Sequence, residues 1–160
     1  MDIDEKILIA NANSFRKIAI QYMKTVKLNE KEFEFLFIPL GINLSFSAEL
    51  YLKFLLLKSK KTKTWHNLYE IYSLLDNQIK IDLNGITTLK YKISNNTFHQ
   101  KTEYLTNGFE KTLKKHSKIF VEWRYMHENK GYSQMSCDFG FMFIFVNVLD
   151  GYIRTNYPIG

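Results

Sequence analysis

Apolar residues recur at three- and four-residue intervals along most of this chain, a spacing that predicts helices rather than strands. Over residues 4–24, Ile7, Leu8, Ala12, Phe15, Ala19, Tyr22 and Met23 share one helical face. A second helix is expected over 35–57, with Pro39 near its start, where a missing N–H costs least, or else marking a kink. Lys58, Lys60, Lys61 and Lys63 then form a basic turn. A third helix is expected over 65–76, with Thr64 as its N-cap. Residues 79–94 lack a clear period. Asp82, Asn84 and Gly85 signal a turn there and Tyr91, Lys92 and Ile93 could be extended, so an irregular connection with room for a short helix is expected.

The longest helix is expected over 97–129. Leu105, Phe109, Leu113, His116, Phe120, Trp123 and His127 step by four, four, three, four, three and four, one continuous apolar stripe. Gly108 weakens that helix by about 1 kcal/mol relative to Ala, and Gly131 closes it. A fifth helix, over 137–154, is apolar nearly all round, so neighbours or another subunit must enclose it. No internal repeat and no long linker divides the chain. The pattern predicts one all-α domain over residues 1–160, an up-and-down bundle of four to five helices.

Composition supports this reading. Hydrophobic residues make up 46% of the 160, and 13 Phe and 10 Tyr make the expected core bulky. With 7 Gly and 2 Pro, breakers are few. The net charge of +6 suits either a polyanionic partner or a solvated lysine surface. A single cysteine, Cys137, excludes an internal disulfide framework and a multi-cysteine zinc site, and fits a reducing cytoplasm. The N-terminus, Met1-Asp2-Ile3-Asp4-Glu5, is acidic and unlike a secretory signal. Residues 35–57 are long enough to span a membrane but contain Pro39, Asn43, Glu49 and Lys53. Residues 139–149 are too short. Both segments are expected to be buried helices of a soluble protein with no membrane partner.

Candidate chemistry is sparse. Glu49 and Lys53 lie one turn apart in the apolar second helix, in the favourable order, worth roughly 0.2–0.5 kcal/mol when exposed. Helix-buried charge is costly unless paired. The pair is therefore either a structural ion pair or a polar anchor facing a ligand. His66 either caps the third helix at the core edge or recognises phosphate together with nearby lysines. Arg124, His127 and Glu128 share one face of the fourth helix. A guanidinium can clamp a phosphate and a histidine can move the proton of a ribose 2′-hydroxyl, which suffices for metal-independent RNA cleavage. The alternative is that Arg124 pairs with Glu49, Glu122 or Glu128 while His127 packs in the core. No Gly-rich phosphate loop, dinucleotide fingerprint, GxSxG element or zinc-ligand spacing is present, and no cofactor or metal is expected. Cys137 reads as an inert buried thiol. The lysine runs at 58–63 and 111–118 read as solvated faces.

Ser47-Ala48-Glu49-Leu50-Tyr51-Leu52-Lys53, followed by Trp65-His66-Asn67-Leu68-Tyr69-Glu70-Ile71-Tyr72-Ser73-Leu74-Leu75, resembles the HEPN (higher eukaryotes and prokaryotes nucleotide-binding) superfamily. Its members carry an Ala-x-Glu-x-x-Leu-Lys-like signature on the second helix and a Gly-His-Asp-Leu-like start to the next. Here Trp65 stands for the Gly and Asn67 for the Asp. Phe120 to Tyr125 is similar to the arginine-bearing helix of small bacterial members. The resemblance implies an all-α bundle, a homodimer, and ties to RNA, nucleotides, toxin–antitoxin pairs and phage defence. A nucleotidyltransferase-type antitoxin or a larger effector is the partner protein it implies. Many members are endoribonucleases whose Arg and His stand four to six residues apart, with a polar residue after the Arg. Arg124 and His127 have only two residues between them, and Tyr125 follows the Arg. If the chain cuts RNA, Arg124 and His127 are the catalytic candidates. Glu49, Lys53, His66 and Glu128 are the ligand-binding ones. A non-catalytic interaction module is the alternative.

Overall fold

A computed structural model describes residues 4–28, 33–96, 103–125 and 137–158. Among the described residues the chain is helical with no strand. The elements are α1 (Glu5–Leu28), α2 (Phe33–Lys58), α3 (Leu68–Ser73), α4 (Asn77–Asn96), α5 (Glu103–Lys115), α6 (Ile119–Arg124) and α7 (Phe139–Asn156). An all-α bundle is thus the architecture.

α2 is the axis of the molecule. From Leu40 onward its apolar side chains point in every direction, and Leu44, Ala48, Leu52, Phe54, Leu55 and Leu56 are fully buried. Each large side chain so enclosed contributes about 1.5–3 kcal/mol of transfer free energy. α1, α3, α6 and α7 cover it. α1 runs antiparallel to it, since Lys58 at the end of α2 pairs with Glu5 at the start of α1. Midway, the Ser47 hydroxyl donates to the Ala12 carbonyl at 2.9 Å. The segment Leu36–Lys58 is long and apolar enough to cross a membrane by composition, yet 67% of its most apolar window is buried inside the fold.

Four sequence expectations change. Pro39 sits inside α2, well past its first turn. Residues 79–94 are not an irregular connection but part of α4, a helix from Asn77 to Asn96. The third helix starts at Leu68 rather than Trp65. Asn67, not Thr64, is its N-cap, accepting from the Glu70 N–H while its own amide donates to the Glu70 carboxylate at 3.1 Å. The long fourth helix is divided. Gly108 (φ 75°, ψ 176°) breaks helical geometry inside α5, a conformation open essentially to glycine alone. A turn over 116–118 then separates α5 from α6. The stripe ending at His127, with Glu128 and Gly131, runs outside the described residues.

The turn at 116–118 is fixed by polar contacts. The Ser117 carbonyl accepts from the Leu68 N–H at 3.0 Å, and the Ser45 hydroxyl accepts from the Phe120 N–H at 3.1 Å. Buried His116 uses both ring nitrogens. Nδ1 donates to the Thr112 carbonyl at 2.7 Å, and Nε2 accepts the Asp138 N–H at 2.7 Å. Asp138 in turn caps α7 and accepts from the Tyr91 hydroxyl at 2.7 Å. One residue therefore ties α4, the α5–α6 turn and α7 together. α6 lies close against α2: a Cβ built on Gly41 would overlap the Trp123 ring.

Candidate functional site

Glu49 is fully buried on α2. Its Oε1 accepts from the Lys53 ammonium at 2.8 Å and from His66 Nδ1 at 2.9 Å. Its Oε2 is buried and has no hydrogen-bond partner among the described residues. Taking a carboxylate out of water costs several kcal/mol, so both hydrogen-bond partners matter. Helical spacing delivers Lys53. A loop delivers His66.

That loop is built locally. α2 ends at Lys58, and Lys60 adopts a left-handed conformation (φ 56°) that turns the chain. Lys61 then bonds the Leu74 carbonyl and the Asp76 carboxylate, both at 2.9 Å, and Ser59 bonds the same carboxylate at 2.7 Å. Those contacts hold the Asp76 carboxyl below the usual carboxylate range, the Lys61 hydrogen bond contributing most. Residues 61–67 follow without regular structure and lay His66 beside Glu49. A carboxylate only accepts, so Nδ1 carries the proton of the His66–Glu49 bond. The other ring nitrogen is left for chemistry at the surface, where His66 is 47% exposed.

A cleft of about 590 Å³ opens there, lined by Trp65, His66, Asn67, Glu70, Lys118 and Glu122 among others. The Trp65 ring is half exposed, with the Lys63 ammonium 4.4 Å from its centroid. Lys118 comes from the α5–α6 turn, so the docking of that turn shapes the cleft. Behind His66, Phe120 lies 5.7 Å from the imidazole and stacks on Phe46 at 4.3 Å. The arrangement offers an aromatic face, a carboxylate-oriented imidazole, one ammonium and two carboxylates. Such a set can stack a planar ring, donate to an anion and accept from amino groups.

The sequence candidates separate here. Glu49, Lys53 and His66 come together. Arg124 does not join them. Its guanidinium lies 4.9 Å from the Phe120 ring centroid and donates to the Tyr125 hydroxyl at 2.9 Å, on the exposed surface. Among the described residues it pairs with neither Glu49 nor Glu122. It is linked to His66 only through the Phe120 ring they share. His127 and Glu128 lie outside the described residues. Sequence reasoning missed Trp65 as an exposed ring and Lys118 as a cleft residue. The one available signal was the aromatic placed directly before His66.

Burial, then the neighbouring Asp138, pushes the Cys137 thiol far up, away from nucleophilic behaviour. No group of three His, Cys, Asp or Glu side chains among the described residues could hold a metal ion. Compared with models of known families, curated proteins and solved structures, the chain matches none.

Proposed function

We propose that this chain is a HEPN-like domain that binds RNA or nucleotides in the cytoplasm, in a defence or toxin–antitoxin setting, through the cleft at His66. One observation carries the reading: a fully buried carboxylate holds one imidazole at the lip of that cleft. A core carboxylate destabilises a fold unless compensated, and its use here is to orient a surface histidine. Trp65 offers a stacking face for a base. Lys118 and His66 face the phosphate, and Glu70 and Glu122 accept from exocyclic amino groups.

Tryptophan fluorescence tests this. Titration with AMP and with a short single-stranded RNA should quench the exposed Trp65. His66→Ala should abolish the response while the far-ultraviolet circular dichroism is unchanged. A folded His66→Ala protein that binds as well as the parent refutes the site. RNA degradation in EDTA, compared among the parent, His66→Ala, Arg124→Ala and His127→Ala, decides whether binding leads to cleavage and which histidine moves the proton.

The second reading, a non-catalytic interaction module, is favoured by α4. Its outward Ile81, Leu89 and Ile93 are each at least 60% exposed. The occupant expected for such a module is a partner protein such as a nucleotidyltransferase-type antitoxin, besides a second copy of this chain. A light-scattering mass that stays monomeric at every concentration would remove the second copy.

A further inference from the structure

From a second polar cluster, independent of the reading above, we infer that the junction of α1, α2 and α7 is a binding site for a small organic oxyanion, a carboxylate or phosphate carried on an apolar body. The cavity there is about 370 Å³, within the range of small-molecule sites, and Asn13, Tyr51, Asp150 and Arg154 line it together with Ile9 and Tyr157.

The hydrogen-bond inventory of these groups sets the class of ligand. Asp150 Oδ1 accepts from Arg154 Nε at 2.9 Å and from the Tyr51 hydroxyl at 3.3 Å; its Oδ2 pairs with Arg16 at 3.1 Å. The Tyr51 hydroxyl has one proton and shares it with Asn13 Oδ1, its nearer acceptor at 2.7 Å, and Arg16 Nη1 donates to Asn147 Oδ1 at 2.9 Å. Every carboxylate and amide oxygen of Asp150 and Asn13 is therefore engaged. The groups left without partners among the described residues are donors: the Asn13 amide and the terminal amino groups of Arg154. Arg16 Nε, buried beside them in the same network, also lacks an acceptor. Two guanidiniums surround one carboxylate, so the cluster carries a net positive charge. Unused donors and excess positive charge select an acceptor with negative charge. Ile9 and Tyr157 supply an apolar wall for the body that bears it.

Benzoate and phenyl phosphate serve as probes, with benzyl alcohol as the neutral control. Binding is read from backbone amide shifts of the intact chain. At least one acid should shift amides in residues 9–16 and 150–157, and benzyl alcohol should not. Response to benzoate alone makes the ligand a carboxylate; response to phenyl phosphate alone makes it a phosphate ester. Arg154→Gln should weaken binding about tenfold or more, the equivalent of about 1.4 kcal/mol. Lys92→Gln, an exposed change of the same charge on α4, should leave it intact. Arg154 is largely exposed, so its substitution is compatible with folding, and Arg154→Lys separates charge from fork geometry. Absence of shifts with both acids, equal response to benzyl alcohol, or unchanged binding by Arg154→Gln would each overturn the site. None of these results bears on nucleotide binding at His66.

Discussion

Glu49 shows how one residue can dominate the energetics of its neighbourhood. Breaking a buried ion pair by removing one partner leaves an uncompensated charge and costs about 3–5 kcal/mol. The Lys53 side chain is 19% exposed, so water replaces part of its role. Lys53→Met should therefore destabilise by about 2–3 kcal/mol in denaturant titration, at or just below the lower end of that range. A change below about 0.5 kcal/mol would mean that His66 alone compensates the carboxylate. Tyr51 gives a pH signature. Burial first, then the Asp150 carboxylate, pushes its hydroxyl up to about 12. Below pH 10 both folded and unfolded chains keep the proton, and stability does not depend on it. Above 10 the unfolded chain releases it and the folded chain does not, so stability falls as pH rises toward 12. Tyr152, also pushed up to about 12 by burial and Asp82, acts in the same window. Tyr51→Phe should cost about 1 kcal/mol at pH 7 through its lost hydrogen bonds, and should lessen the alkaline loss without abolishing it. An unchanged slope between pH 10 and 12 would exclude Tyr51 as a source. The Glu49–Lys53 pair was legible because helical spacing alone creates it. The His66 contact was not, because 17 residues and an aperiodic loop separate it from Glu49. Of the alternative pairings for Arg124, that with Glu49 does not form: the guanidinium lies over the Phe120 ring, which is also a neighbour of His66.

Among the helices, what was legible followed the clarity of each stripe. α1 buries one coherent apolar face, and its position follows from spacing, whereas α2 and α7 are apolar nearly all round and are recognisable by that alone. α4 was hidden because its apolar residues divide between two faces. Ile79, Leu83 and Tyr91 are buried with Thr87, whereas Ile81, Leu89 and Ile93 face outward. The period blurs, and Asp82, Asn84 and Gly85 then imitate a turn. The long fourth stripe misled in the other direction. Its members Phe109, Leu113, His116, Phe120 and Trp123 do pack inward, but Gly108 and the turn at 116–118 redirect the backbone along it. Periodicity reports which side chains are buried and is blind to a break that preserves the phase. Contact between helices also carries a sequence-silent requirement at Gly41. Any side chain there meets the six-membered ring of Trp123, which T-shaped contacts with Phe37 and Phe139 hold in place. Gly41→Ala raises helix propensity by about 1 kcal/mol, yet should destabilise by about 1–3 kcal/mol because overpacking wins. Thermal denaturation measures the sign directly. A higher melting temperature would show that α6 can move away from α2 at little cost, and the cleft at Lys118 would then be loosely held.

At the scale of the whole molecule, the net charge of +6 suggests a polyanion surface, and the ion pairs argue for a smaller one. Lys53 pairs with Glu49, Lys58 with Glu5, Lys61 with Asp76, and Arg16 and Arg154 with Asp150. The basic turn after α2 is exposed, as expected of a solvated face, and two of its lysines, Lys58 and Lys61, are in addition paired within the fold. Lys63 lies against Trp65 and Lys114 against Tyr69. Among the described residues, the lysines at the His66 cleft are Lys118, in its lining, and Lys63, over the Trp65 ring. Each phosphate neutralised on a single strand contributes about −0.7 to the slope of log K against log salt. A cleft engaging one or two phosphates should therefore give a slope of about −0.7 to −1.4 for a short single-stranded RNA. A protein whose lysines formed one continuous track would give about −4 or steeper. Fluorescence anisotropy across a series of KCl concentrations distinguishes the two. Lys118→Gln should make the slope shallower by about 0.7. A steep slope that ignores Lys118 would place the RNA on another face of the helical bundle and detach it from the carboxylate-held histidine.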